Sequence, residues 1–196
     1  MLKRKNFNTR KMVLLAILTA LVVILQLLGA FIRFGPFSIS LVLMPIAVGA
    51  ALLGIFAGGW LGLVFGFVVL LTGDAAIFIV INPIGTVLVV LAKGLLAGLA
   101  AGAVYRLLFR KSKTIAAIMA AAICPIVNTG IFIIGSYLFF YQTISLWGVA
   151  AGAASTAAFI FLTLVGVNFL IELGINLVLS PTIVRLIQLG NRKEAA

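Results

Sequence analysis

Two ionisable side chains stand inside long apolar runs: Lys93 in VLVVLAKGLLAG and Glu172 in VNFLIELGINLVLS. At a bilayer centre each costs about 2.5–3.5 kcal/mol on insertion scales, so both should face protein or water. They can neutralise each other as a Lys93–Glu172 ion pair, or they can serve a ligand. Glu172 also belongs to a stripe, because Asn168, Glu172, Asn176 and Ser180 recur every four residues and share one helix face. Such a stripe is either an interhelical hydrogen-bond seam or part of a cavity wall. A third polar group, Asn128 and Thr129, follows Pro125, a residue that removes a backbone hydrogen bond and can bend a helix.

These groups suit recognition better than catalysis. Lysine offers a positive charge or a donor, the asparagines offer donors and acceptors, and Phe132 and Tyr137 offer apolar or stacking surface. The chain has no histidine and a single cysteine, Cys124. It shows no nucleophile beside a base, no evident carboxylate pair and no phosphate-cradling glycine loop. No catalytic residue, metal or cofactor is therefore expected, and any transport energy is not bound here as ATP.

The elements that position these side chains follow from composition. With 65% hydrophobic residues and a mean hydropathy of +1.38, the chain reads as an all-α, polytopic integral membrane protein forming one domain over 1–196. A spanning helix needs about 20 apolar residues. Polar and Gly/Pro breaks divide the chain into six transmembrane helices near 12–32, 40–56, 59–72, 84–106, 114–140 and 158–186. The second and third are short and weakly separated at GIFAGGWLG, so hydropathy alone also permits five. The first run is too long for a signal peptide and lacks a small-residue cleavage site in a polar context, so it is expected to be retained.

The net charge of +11 is clustered. Lys3, Arg4, Lys5, Arg10 and Lys11 precede the first span, Arg106, Arg110, Lys111 and Lys113 form an internal group, and Arg185, Arg192 and Lys193 lie near the end. The positive-inside rule places all three clusters in the cytoplasm, with 1–11 a basic N-terminal segment and 187–196 a tail. This parity favours six spans over five, and it explains the charge through the lipid bilayer, with no nucleic acid partner. The segments 33–40, 72–83 and 141–156 then face outward. The last two have the composition of a cover over a cavity, or of ordinary loops with Tyr141 and Trp147 as interfacial anchors.

Counting inward from the outer span ends, Lys93, Asn128 and Asn168 each lie roughly 15 Å deep, with Glu172 one turn deeper. They can form one layer open to the outside. Small residues supply the packing: Gly54, Gly58, Gly62 and Gly66 are spaced by four, as are Gly94, Gly98 and Gly102. Ala16 and Ala20 put a small-residue face on the first helix, which can pack internally or dock another membrane subunit.

The six-span pattern, Ala16-x-x-x-Ala20, AKGLLAGLAAGAVYRLL in the fourth span and PIVNTGIFIIGSYLFF in the fifth resemble the substrate-binding S components of energy-coupling factor (ECF) vitamin transporters. The resemblance covers most of residues 10–188. It implies a cell-membrane subunit that captures a vitamin-like small molecule from outside. It further implies assembly with an ECF transmembrane coupling subunit and two ATPase subunits. Carried over by position, Ala16 and Ala20 would contact the coupling subunit. Lys93, Asn128, Thr129 and Asn168, together with Phe132, Asn82 and Glu172, would make the ligand site, closed by the segment from Asp74 to Asn82 and by Tyr141 to Ser145. NTGIF and KGLLAGL look most like the pantothenate-type and the related pyridoxine-type or hydroxymethylpyrimidine-type branches. Lys93 would suit the carboxylate of pantothenate, although a lysine there departs from that branch's arginine and lacks its bidentate fork. The alternative is a stand-alone secondary transporter of a small polar metabolite using the Lys93/Glu172 pair.

Overall fold

Gly54 has φ 101°, a conformation open to glycine but strained for side-chain-bearing residues, and it ends one apolar helix and begins the next. The computed structural model describes residues 9–30, 33–34, 37–38 and 41–192, without the side chains of 33–38, 180–184 and 186–192. Lys3, Arg4, Lys5, Lys193, residues 35–36 and 39–40 of the segment 33–40, and the side chains of Ser180 and Arg192 lie outside this description.

Helix α1 is Thr9–Gly29, followed by a two-stranded antiparallel hairpin, β1 Arg33–Phe34 and β2 Phe37–Ser38, with Phe34 opposite Phe37. Helices α2, Leu43–Leu53, and α3, Ile55–Leu71, meet at Gly54. The short α4, Ala76–Ile81, leads into α5, Pro83–Leu108, and then α6, Lys113–Phe139. Helix α7, Tyr141–Ala150, precedes a bent segment made of α8, Thr156–Ala158, a π-helical stretch Phe159–Leu164, and α9, Gly166–Arg192.

The fold is all-α apart from the hairpin, and a helical segment occupies each of the six apolar runs. Helices α1, α5 and α6 are each long and apolar enough to cross a membrane, and the segment Thr156–Leu164 with Gly166–Leu179 joins them if its 41° bend lies within one span. The other two are shorter. With 11 and 17 residues, α2 and α3 extend about 16 and 25 Å, against a hydrocarbon core of about 30 Å. The division between them falls at Gly54, rather than at 56–59.

Packing follows the glycine spacing closely between α3 and α5. A Cβ on Gly62 would run into the carbonyl of Gly94, and one on Gly58 into that of Gly98; the reverse substitutions clash in the same way. The two backbones therefore touch with no side chain between them, which gains dispersion contact in a setting where lipid offers little hydrophobic drive. Gly54 is different: a Cβ there meets nothing within 4 Å, so its role is the turn rather than the seam. On its other flank α5 packs on α6, where Gly135 receives the Val89 side chain and Gly85 the Phe139 ring.

The buried apolar residues form two clusters. One joins α1, α2, α3, α5 and α6 around Leu43, Ile46, Leu61 and Phe65; the other gathers Phe78, Val89, Phe140, Ile144, Phe159 and Ile160. The expected outer segments are more ordered than loops. Residues 76–81 and 141–150 are helical because each is apolar on a face that the second cluster buries, through Phe78 and Ile144 respectively.

Candidate functional site

A cavity opens between these two clusters, bounded by Val69, Ala75 and Val90 of the first and by Phe78, Val89 and Phe140 of the second. Its atom-free space, counted out through the mouth into open solvent, is about 790 Å3.

Its polar lining converges from separate helices. Asn82 caps α5 by accepting from the Gly85 amide at 2.9 Å, and Pro83 supplies the preset first residue. That fixed start delivers Thr86 and, ten positions into the helix, Lys93 to the cavity. Helix α6 runs through Pro125 without ending, and one turn later presents Asn128, Thr129 and Phe132 to the same space. In the last segment the Val165 amide bonds Ile160 O at 3.0 Å, a widened i→i−5 turn, and a Cβ on Gly166 would strike Phe161 O. The bend that results sets Leu164 and Val165 in the wall and aims Asn168, Phe169 and Glu172 inward.

Lys93, Asn128, Thr129, Phe132, Asn168 and Glu172 thus share one cavity. Lys93 Nζ lies 5.6 Å from the Phe65 ring centroid and 5.9 Å from that of Phe132, and both Glu172 and Asp74 act on it electrostatically. Asn176, one turn past Glu172, is buried and donates to Glu172 O at 2.8 Å. Asn82 is not among the lining residues, since its side chain is used as the cap. Tyr137 also falls outside the lining and stacks on Tyr141, with centroids 5.9 Å apart.

Two lining residues of the first half were not singled out by spacing. Gln26, buried in α1, donates from Nε2 to Asp74 Oδ2 at 2.7 Å, and both side chains line the cavity. Their signals are compositional: Asp74 is the chain's one aspartate, and Gln26 is one of two polar residues between 12 and 32. Above them the cover is aromatic. Phe78 meets Phe132 edge-on at 5.6 Å, Phe140 at 4.9 Å and Trp147 at 6.1 Å, so Trp147 packs into the cover.

Ala16 and Ala20 are exposed on α1, beside Ile17, Leu21 and Ile24, while Leu18, Val22 and Gln26 make the buried stripe. The small-residue face is thus exposed in the described chain.

A comparison with individually curated proteins gave no match. The family model for the ECF transporter, substrate-specific component, matches residues 10–184, nearly the whole chain and every helix that lines the cavity. By that match and by the helical architecture beneath it, the chain belongs to the substrate-specific components of ECF transporters.

Proposed function

We propose that the cavity captures a vitamin or vitamin precursor from outside the cell, and that the chain delivers it inward in partnership with an ECF coupling subunit and two ATPase subunits. The observation that carries this reading is the convergence of Gln26, Lys93, Asn128, Asn168 and Glu172, polar groups from four apolar helices, on one small-molecule cavity. In the accompanying topology all six apolar segments cross the cell membrane, with the termini and the 106–113 cluster in the cytoplasm. The cavity then lies in the outer half, under α4 and α7. Ala16 and Ala20 supply the face for the coupling subunit, because close approach of another helix needs small exposed residues.

Pantothenate is the ligand that Lys93 alone favours. Pyridoxine-type and hydroxymethylpyrimidine-type ligands are the alternatives, since the fourth-span and fifth-span segments also resemble those branches. The proximity of Lys93 and Glu172 also supports a second reading, a proton-coupled secondary transporter. Uptake of a labelled ligand in cells with and without co-expressed ATPase subunits separates the two. Dependence on the ATPases supports the importer; uptake without them that collapses with an uncoupler supports the secondary transporter. Mass spectrometry of a small molecule co-purifying with the protein tests the shared premise that the cavity binds one.

A further inference from the structure

Away from the cavity, the turn that joins α5 to α6 carries Arg106, Arg110, Lys111 and Lys113, all of them exposed. Like charges this close in sequence repel one another. The described carboxylates do not relieve them, since Asp74 and Glu172 line the cavity, whose Lys93 stands roughly 20 Å before Arg106 along α5. Glu194 lies outside the described residues, and a single acid balances at most one of the four cations. The helix dipoles do not settle the matter either: Arg106 lies in the last turn of α5, where a cation is stabilised, but Lys113 opens α6, where it is disfavoured.

The turn that holds these charges is ordered. The Lys111 and Ser112 amides both donate to Leu108 O, at 3.0 and 3.1 Å, and Ser112 Oγ accepts from the Ile115 amide at 3.4 Å. The Phe109 ring rests against the buried Tyr105, with centroids 5.5 Å apart, and Lys113 Nζ lies 5.3 Å from the Phe109 centroid. Leu107, Phe109 and Ile115 are exposed among the cations, so the surface mixes charge with hydrocarbon. Helices α5 and α6 are both long and apolar enough to cross a membrane, and their shared end then lies where hydrocarbon meets headgroups. An anion that carries its own hydrocarbon answers both parts of this surface. An acidic protein surface answers only the charges.

We propose that the α5–α6 turn binds the headgroup of an anionic phospholipid. Arg106, Arg110, Lys111 and Lys113 supply donors to its phosphate, and its acyl chains run along Leu107 and Ile115.

Native mass spectrometry of the full chain tests this in a non-ionic detergent, with equal amounts of phosphatidylglycerol and phosphatidylcholine of matched acyl chains. Phosphatidylglycerol should be retained roughly fivefold or more over phosphatidylcholine, and the preference should shrink as salt is raised. Arg110→Gln with Lys111→Gln should bring the ratio to about twofold or less; Arg106→Gln with Lys113→Gln gives the same readout where the first pair fails to fold. Arg10→Gln with Lys11→Gln removes the same charge from α1, which packs mainly on α2 and α3, and should leave the ratio unchanged. Glycerol phosphate at millimolar concentration should not displace the lipid, and displacement would overturn the proposal in favour of a soluble phosphate. Equal retention of the two lipids would overturn it in favour of an acidic protein partner. An equal loss of preference in the α1 pair would overturn it as well, since net charge and not this turn would then select the lipid.

Discussion

Gln26 and Asp74, 48 residues apart in sequence, are joined by a 2.7 Å hydrogen bond from Nε2 to Oδ2. The bond ties α1, whose opposite face carries the exposed Ala16 and Ala20, to the turn that leads into the cavity's cover. A hydrogen bond to a charged group contributes about 1.5–3 kcal/mol, enough to hold this turn against the helix.

Gln26→Leu should therefore loosen the cover. The expected result is ligand dissociation faster by roughly tenfold or more, with association little changed. Stopped-flow displacement of the co-purifying ligand measures both rates. In a double-mutant cycle Gln26→Leu and Asp74→Asn should be non-additive, because each removes the same bond. Additive losses would mean that the two side chains serve the ligand independently.

Lys93→Ala and Asn128→Ala should each weaken equilibrium binding by roughly tenfold or more, about 1.4 kcal/mol, while leaving membrane insertion intact. Lys93 is the one cationic donor among the described lining residues, and Asn128 is a buried amide whose oxygen has no hydrogen-bond partner among them. Binding to detergent-purified variants, with the amount in the membrane fraction as control, is the measurement. Unchanged affinity in both would remove these groups from the site.

The polar members of the site were easier to read from sequence than its architecture. Lys93, Asn128, Asn168 and Glu172 stand out because an apolar span makes any polar group costly, and helical rise puts three of them at one depth. Gln26 and Asp74 escaped notice because their meaning lies in a contact across 48 residues, which no local spacing encodes. Asn82 has two readings in the sequence, since a polar residue at the mouth of a span is also the ordinary start of a helix, and its side chain is used as that cap. Gly54 shared the four-residue period of Gly58 and Gly62, yet its backbone turns where theirs packs. The π-helical widening at Phe159–Leu164 had no sequence signal at all beyond Gly166, and it sets the direction of Asn168 and Glu172.

Replacing both Ala16 and Ala20 with Leu or Trp should abolish uptake in cells while sparing ligand binding by the isolated protein. Both residues are exposed on α1, away from its buried stripe of Leu18, Val22 and Gln26. Bulk there blocks the close helix approach that small residues permit. Parallel uptake and binding assays decide the matter, and a loss of binding would instead make the face part of the fold.

The α3–α5 seam gives a prediction about stability rather than function. Gly62→Ala places a methyl group against the Gly94 carbonyl, and Gly98→Ala places one against the Gly58 carbonyl; in both cases the obstacle is backbone, which cannot rotate away. Overpacking of this kind costs about 1–3 kcal/mol, so each variant should unfold at a lower temperature in a fixed detergent or lose folded yield. Gly174→Ala is the matched control, a helical glycine in α9 whose added methyl meets nothing within 4 Å. There alanine's better helix propensity should leave the midpoint unchanged or raise it. Thermal unfolding followed by tryptophan fluorescence suits the comparison because Trp60, in α3, and Trp147, in α7, report on the seam's helix and on the cavity cover. Equal midpoints for Gly62→Ala and Gly174→Ala would show that the two helices are not held at backbone contact. A lowered midpoint for Gly62→Ala alone, with ligand still raising it, would separate the seam that holds the scaffold from the cavity that the scaffold carries.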